Sequence, residues 1–287
     1  MSLKGEEGFN EFYRQMYGDR WDTLSRSLIA PKKHIAVLNP FVPYTGEKKH
    51  FSGIDYLEED QFPAPERTLN SYMNYYLMDA ASFLPIDALE IQTGDKIVDL
   101  CAAPGGKSLL CAFKLENTGL LVSNDRSAAR RSRIHKIFEE YIPQTKRSNH
   151  KVTGHDATKW SLYEKSVYDK VLLDAPCSSE RHVLMDKSEL KNWSQGRSKA
   201  IAITQFAMLA SALDIVKKQG TIVYSTCALS DWENDQIIEK LHLKRKGRFE
   251  IVEKTFPFGE KTQFGWKVLP DKTGYGPFYL SVIKRLN

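Results

Sequence analysis

Cys177 and Cys227 are the residues whose placement points most directly to chemistry. Each follows a short apolar run that reads as a strand, in Asp174-Ala175-Pro176-Cys177 and in Ser225-Thr226-Cys227. Open α/β sheets bind their ligands at the carboxyl ends of such strands. One buried cysteine is ordinarily a small hydrophobe, but two at adjacent strand ends suit a reaction that uses two thiols. Methylation at carbon 5 of cytosine is one. That carbon is too weak a nucleophile to attack a sulfonium methyl, so a thiolate first adds to carbon 6 and makes the ring an enamine. After transfer the product is still tethered; a base must take the carbon-5 proton before the thiolate leaves, and a second cysteine can assist. An acid must also neutralise ring nitrogen 3 as the adduct forms. Asp174, beside Cys177, is the candidate, provided its carboxyl holds or shares a proton.

A second group of residues reads as a cofactor site. The run Asp99-Leu100-Cys101-Ala102-Ala103-Pro104-Gly105-Gly106-Lys107 ends a strand in a paired-glycine turn, where missing β-carbons let a ligand approach the backbone. A glycine turn alone can be merely a tight turn. Asp125 lies nineteen residues beyond Gly106, after the next strand, about where a ribose-binding carboxylate belongs. The turn lacks the three-glycine dinucleotide fingerprint, which favours an adenosyl cofactor without a pyrophosphate. Asp156, after the third strand, can accept from an adenine amine or can cap the segment running to Trp160. Arg130 can reach a cofactor carboxylate or can be a solvated helix residue.

These residues need a sheet to position them. From Lys96 onward, apolar runs at 97–100, 120–123, 151–153, 171–173, 221–224, 249–252 and 278–283 alternate with helical patterns, which predicts a doubly wound, mostly parallel α/β sheet. The last two runs lack a clear helix between them and read as a final antiparallel hairpin. Ahead of the sheet, Phe9, Phe12, Tyr13, Met16 and Tyr17 form one helical stripe, Gly18 interrupts, and Trp21, Leu24 and Leu28 resume it. Residues 40–69 are irregular, and 75–84 read as a helix ended or kinked near Pro85. The expected division is an N-terminal helical and irregular extension, 1–70, and a catalytic domain, 71–287.

The chain has 287 residues and a formal net charge of +5, which tolerates a nucleic-acid partner without requiring one. Its four cysteines suit neither a disulfide scaffold nor a zinc site, and no metal is expected. No apolar run suggests a membrane span, and Glu6, Glu7, Glu11, Asp19 and Asp22 are unlike a mitochondrial transit peptide. Arg126, Arg130, Arg131, Arg133, His135 and Lys136 crowd one predicted helix and could neutralise RNA phosphates; Lys244, Arg245, Lys246 and Arg248 read as ordinary solvation.

Taken together, Asp99 to Lys107, Asp174 to Cys177 and Ser225 to Cys227 resemble the NSUN (sun/fmu) family of RNA cytosine-5 methyltransferases, over roughly residues 75–287. The resemblance implies a Rossmann-like, seven-stranded, S-adenosylmethionine-dependent methyltransferase sheet. It further implies that Gly105, Gly106, Lys107, Asp125, Arg130, Asp156 and Asp174 contact S-adenosylmethionine, that Cys227 is the nucleophile, and that Cys177 serves release. DNA cytosine methyltransferases use the cysteine after proline instead, which would leave Thr226-Cys227 unexplained. A free thiol titrates near pH 8.5, so Cys227 needs a cationic neighbour, and Lys107 and Arg181 are the nearest candidates. Arg181 and His182 are also placed to hold the target nucleotide. Gly18-Asp19-Arg20-Trp21, residues 76–82, Asn124-Asp125, Asp156 with Trp160, and Arg181-His182 look most similar to the family's mitochondrial ribosomal-RNA member. At the cofactor position after Asp156 this chain has Ala157 where that member usually has Gly. The likeness implies a ribosomal-RNA substrate, a mitochondrial location and a possible mTERF-family partner. Transfer-RNA methylation, or ribosome assembly in which RNA binding outweighs turnover, are the alternatives.

Overall fold

The aromatic stripe at the N-terminus folds as expected into two packed helices, α1 (Gly5–Tyr17) and α2 (Arg20–Ile29), with Gly18 at φ +57° turning the chain between them. Phe9, Phe12, Tyr13, Trp21, Leu24 and Leu28 bury one face, and Val183, Trp193, Leu229 and Leu269 from the main body complete that cluster. The computed structural model describes residues 3–68 and 71–287; Leu69 and Asn70, the end of the expected extension, lie outside the described residues.

Beyond the helices, the segment read as irregular contributes two strands to a small four-stranded antiparallel sheet. Strands β1 (Ile35–Leu38), β2 (Lys49–Phe51), β3 (Ile54–Leu57) and β4 (Tyr75–Met78) lie in the order β2-β3-β1-β4. The helix expected over 75–84 is therefore corrected. Tyr75, Tyr76, Leu77 and Met78 each pair with a residue of β1, where aromatic and apolar side chains fit a half-buried pleat. Asp79 then accepts a hydrogen bond from Ala81 N and starts a single 3-10 turn, Ala80–Phe83. Pro85 stands in the first turn of α3 (Leu84–Ala88) instead of ending a helix, since its fixed φ and missing N–H are tolerated there. β1 and β4 come from opposite sides of residue 70 and share one sheet.

The main sheet contains all seven expected strands and two more. In chain order its elements are β5 (Lys96–Asp99), α4 (Gly106–Leu115), β6 (Leu120–Asn124), α5 (Ala128–Tyr141), β7 (His150–Thr153) and β8 (Tyr168–Asp174). There follow α6 (Glu180–Met185), α7 (Lys187–Lys191), α8 (Gln195–Ile215), β9 (Val216–Thr226) and α9 (Asp235–Lys244). The chain closes with β10 (Phe249–Ile251), β11 (Glu260–Lys261), β12 (Trp266–Val268), α10 (Pro270–Thr273) and β13 (Phe278–Arg285). Strands β7-β6-β5-β8-β9 are parallel, and β13 is antiparallel to β9. β10 and β12 both pair antiparallel with β13, so the expected hairpin carries the β11–β12 pair inserted between its arms.

Both faces of this sheet are covered. Ile97, Leu121, Leu172 and Val223 pack with α3, α4 and α5, while Val98, Val122, Val171 and Ile222 pack with α8 and α9. α8 is 21 residues long and, by length and composition alone, apolar enough to cross a bilayer. It is the one such helix among the described residues, and Leu209, Ala212, Leu213 and Ile215 bury against the sheet. The chain runs outward from β5 to β7 and then returns to β8. That reversal opens the crevice between the ends of β5 and β8, the usual ligand position in such sheets.

Candidate active site

Two clefts open at that crevice. The first, about 360 Å³, is lined by Leu100, Cys101, Asp125, Arg130, Asp156, Ala157, Pro176, Thr204 and Met208, among others. The second, about 340 Å³, is lined by Lys32, Asp79, Ser82, Lys107, Asp174, Ala175, Ser179, Arg181, His182, Cys227 and Phe278, among others. Consecutive residues, Ala175 and Pro176, thus face different clefts, and the end of β8 is their shared wall.

In the first cleft Asp125 is nearly buried, and one oxygen accepts from Ser127 N at 2.9 Å. Arg130 lies 3.4 Å from the other oxygen and donates to Ala103 O at 2.8 Å, tying the glycine turn to the carboxylate. Asn124 is fully occupied: its amide donates to Leu100 O and His155 O, and its oxygen accepts from His155 N and Thr153 Oγ1. Asp156 Oδ1 caps its own turn, accepting from Thr158 N and Oγ1, and these bonds hold the carboxyl below its ordinary range. Its Oδ2 has no partner among the described residues, so the capping and ligand-binding readings are compatible. Gly105 and Gly106 line neither cleft. Gly105 has φ +124°, a value side chains disfavour, and a β-carbon on Gly106 would sit 2.7 Å from the Tyr76 ring of β4. Gly106 is therefore required by packing against the small sheet, a reason invisible in the turn itself.

Lys107, named both as a cofactor contact and as a cation near Cys227, lines the second cleft. Its ammonium is 2.8 Å from Asp174 Oδ2 and 5.2 Å from the Phe278 ring centroid. Burial alone would lower the ammonium, but the charge and hydrogen bond of Asp174 outweigh it and raise the Lys107 pKa. Ser225 Oγ donates to Asp174 Oδ1 at 2.9 Å, so both oxygens accept a hydrogen bond. Behind the crevice, Ser123 donates to Ser108 and Ser108 to Asp99, whose carboxyl burial pushes up to about 7.

Cys227 lines this cleft and meets Cys177 behind it, with their sulfurs 2.6 Å apart and Ser179 Oγ 3.5 Å from Cys177 and 3.4 Å from Cys227. Hydrogen bonding from Cys177 draws the Cys227 thiol below its ordinary value, while that same bond, then burial, raises Cys177 well above its own. One proton held on Cys177 and a thiolate on Cys227 is the direction this environment favours. Of the two cations expected to help, Lys107 and Cys227 feel each other's charge. Arg181 lines the cleft with His182, but its guanidinium donates to Ala30 O at 2.7 Å.

Residues that sequence patterns had not marked are Met208, Thr204 and Pro176 in the first cleft, and Lys32, Asp79 and Phe278 in the second. Met208 and Thr204 sit within a long apolar helix, where nothing local distinguishes them. Of the arginine cluster on α5, Arg131 donates to Asp125 O and Arg126 O and belongs to the fold; Arg126 and Arg130 border the first cleft. In the second basic run Arg248 pairs with Asp214 at 2.8 Å, consistent with a structural role.

Comparison with known proteins follows this geometry. The family described as "16S rRNA methyltransferase RsmB/F" matches residues 86–284. The 5-cytosine rRNA methyltransferase NSUN4 of Bos taurus is 31% identical over 98% of this chain and 88% of its own length. The Xenopus tropicalis protein of the same name is 36% identical over 79% of the chain, and the match spans 60% of that relative's length. The mitochondrial tRNA (cytosine(34)-C(5))-methyltransferase of Mus musculus is 30% identical over 96% of the chain and 89% of its own length. Among solved structures, NSun6 from Pyrococcus horikoshii superposes with a TM-score of 0.78 at 18% identity, covering 97% of both chains.

Proposed function

The chain belongs to the RsmB/F family of rRNA methyltransferases, and from that premise we propose that it methylates carbon 5 of cytosine in ribosomal RNA through a covalent Cys227 adduct. The observation that carries the proposal is the contact of the Cys177 and Cys227 sulfurs beside the Lys107–Asp174 pair. S-adenosylmethionine fits the first cleft by size and by its donor set: two carboxylates, Asp125 and Asp156, face a space of about 360 Å³, within the range of small-molecule sites. Bound there, it supplies the methyl group. Asp125 would hold its ribose hydroxyls, Asp156 its adenine amine, and Arg130 its carboxylate. Ala157 and the Gly105–Gly106 turn would border it.

In the second cleft the chain's own residues would do the rest. The Cys227 thiolate adds to carbon 6, forming a carbon–sulfur bond, and ring nitrogen 3 takes up a proton delivered by the Lys107–Asp174 pair. After carbon 5 has gained its methyl group, a base removes the carbon-5 proton, the electrons expel the Cys227 thiolate, and the proton on ring nitrogen 3 returns to the Lys107–Asp174 pair. Cys177 assists by donating its thiol hydrogen bond to the departing sulfur. Asp174 as observed is an ion-pair partner, so it acts as an acid only by sharing the Lys107 proton.

The likeness to NSUN4 of Bos taurus, named a 5-cytosine rRNA methyltransferase, supports rRNA as the target, and the mitochondrial tRNA enzyme of Mus musculus supports a mitochondrial site of action and tRNA as the second reading. Mitochondrial small-subunit rRNA and an mTERF-family partner are the finer reading that the motif resemblance implies. Bisulfite sequencing of rRNA and tRNA from cells with and without the protein tests this. A cytosine lost from protection only in rRNA supports the first reading, one lost in tRNA the second, and no change refutes both.

Two outcomes are expected in vitro. Asp125→Ala should weaken S-adenosylmethionine binding about tenfold or more, since each hydrogen bond to a charged group is worth roughly 1.5 to 3 kcal/mol; wild-type affinity by calorimetric titration would remove the cofactor assignment. An RNA with its target cytosine in a loop should be methylated faster than the same cytosine in a duplex, because extrusion costs a few kcal/mol. Equal initial rates on the two RNAs would count against attack at carbon 6.

A further inference from the structure

We propose that Glu180, Glu233 and Asn234, joined to the N-terminal helix by Tyr13, are positioning residues that set the two cysteines against each other. The inference rests on the methyl-transfer reading above.

Each cysteine is held through the residues on both of its sides. Asn234 Oδ1 accepts from Thr226 Oγ1 at 2.6 Å, and its amide donates to Ala228 O at 2.9 Å, bracketing Cys227. Glu233 Oε2 accepts from Ser178 N at 3.0 Å and from Gln205 Nε2 at 2.9 Å. Gln205 also donates to Pro176 O at 2.9 Å, so this pair brackets Cys177. Neighbouring side chains just before α9 thus grip one cysteine loop each, adding to the β8–β9 pairing that brings the two loops side by side.

Glu180 adds a direct bridge. One oxygen accepts from Ser178 Oγ and from Tyr13 OH, both at 2.5 Å, and the other accepts from Leu229 N at 3.0 Å, two residues past Cys227. Tyr13, Glu180, Glu233 and Asn234 are each 0% exposed. No lysine or arginine among the described residues forms an ion pair with either glutamate. Two buried carboxylates without a counterion are a poor way to gain stability, since well-packed apolar residues generally do better. Their use here is directional: hydrogen bonds fix loop positions in a way that apolar packing does not. Glu233 Oε1 and Gln205 Oε1 have no hydrogen-bond partner among the described residues. Burial, then the nearby Glu180, pushes the Glu233 carboxyl up to about 7. A thiolate displaced by an ångström is a much poorer nucleophile, which makes this scaffold matter to rate.

The test uses Asn234→Ala, Glu233→Ala, Glu233→Gln and Tyr13→Phe in the full chain. Asn234→Ala and Glu233→Ala should lower kcat for RNA methylation about 30-fold or more, with S-adenosylmethionine affinity changed by less than about threefold, because positioning loss falls on the chemical step. Glu233→Gln, the shape of the protonated acid, should recover most of the loss. Tyr13→Phe should give a smaller fall in kcat of the same kind. Alkylation of Cys227 by iodoacetamide at neutral pH should slow in Asn234→Ala; it needs no RNA, so it tests the scaffold even if the wild-type protein proves not to methylate RNA. Wild-type kcat in both alanine variants, cofactor affinity falling in step with kcat, or Glu233→Gln as inactive as Glu233→Ala would each overturn the proposal.

Discussion

Cys227→Ala is expected to yield neither methylated RNA nor a protein–RNA adduct, whereas Cys177→Ala is expected to accumulate an adduct that survives denaturing electrophoresis. On the proposed mechanism the two thiols, in contact at the edge of the second cleft, serve different steps. Removing Cys227 takes away the nucleophile before anything has happened to the ring, and a loss of about 10⁴-fold or more in kcat is the usual scale for such a group. Removing Cys177 leaves attack and methyl transfer possible. It also removes the hydrogen bond that draws the Cys227 thiol down, so the adduct should form more slowly than in wild type and yet persist, because release is slower still. Incubation with RNA and S-adenosylmethionine, followed by gel electrophoresis, separates the cases. A stable adduct from Cys227→Ala and none from Cys177→Ala would reverse the roles and make the cysteine after proline the nucleophile.

Lys107→Met should produce the second-largest effect, a fall in kcat of roughly 100-fold, on the scale seen when one electrostatic donor at a reacting centre is lost. Two consequences combine. The thiolate of Cys227 loses the cation that shares its field, and Asp174 keeps its charge beside the cleft without a counterion. Both disfavour negative charge on sulfur, so the apparent pKa of Cys227 should rise. Its alkylation rate, followed by mass spectrometry against pH, should then reach half its maximum at higher pH than in wild type. Neutralising the partner as well, in Lys107→Met with Asp174→Asn, should restore part of the alkylation rate, because residues of one ion pair are not additive. An unmoved alkylation midpoint in Lys107→Met would sink the argument that this lysine sustains the thiolate.

Much of the site was legible because strand ends in a doubly wound sheet converge whatever separates them in sequence. Cys177 and Cys227 stand fifty positions apart, yet each follows one of two adjacent parallel strands, so reading both runs as strands already brings the thiols together. Asp125 and Asp156 were legible for the same reason. Lys107 was named both as a cofactor contact and as a cation near Cys227; its side chain meets the Asp174 carboxylate on the Cys227 side, a direction that the first turn of α4 does not show in sequence. Gly106 was read as clearing space for a ligand, while its neighbour is Tyr76 from a strand that had been read as a helix. The small sheet went unseen since its strands have only three or four residues, too few for alternation to stand out. Glu180, Glu233 and Asn234 carried no signal at all, because polar residues in a helical pattern are expected to face water. Here they turn inward to loops from elsewhere in the chain.

The end of β8, with Ala175 on one cleft and Pro176 on the other, has a bearing on inhibitor chemistry. A compound that fills only the first cleft, proposed to take S-adenosylmethionine, would compete for a cofactor that other methyltransferases also bind. One that crosses the β8 edge with a short tether and carries a mild electrophile would present it to Cys227. Selectivity would then come from the span between the halves and from a thiol that other methyl-transferring sheets need not possess at that strand end.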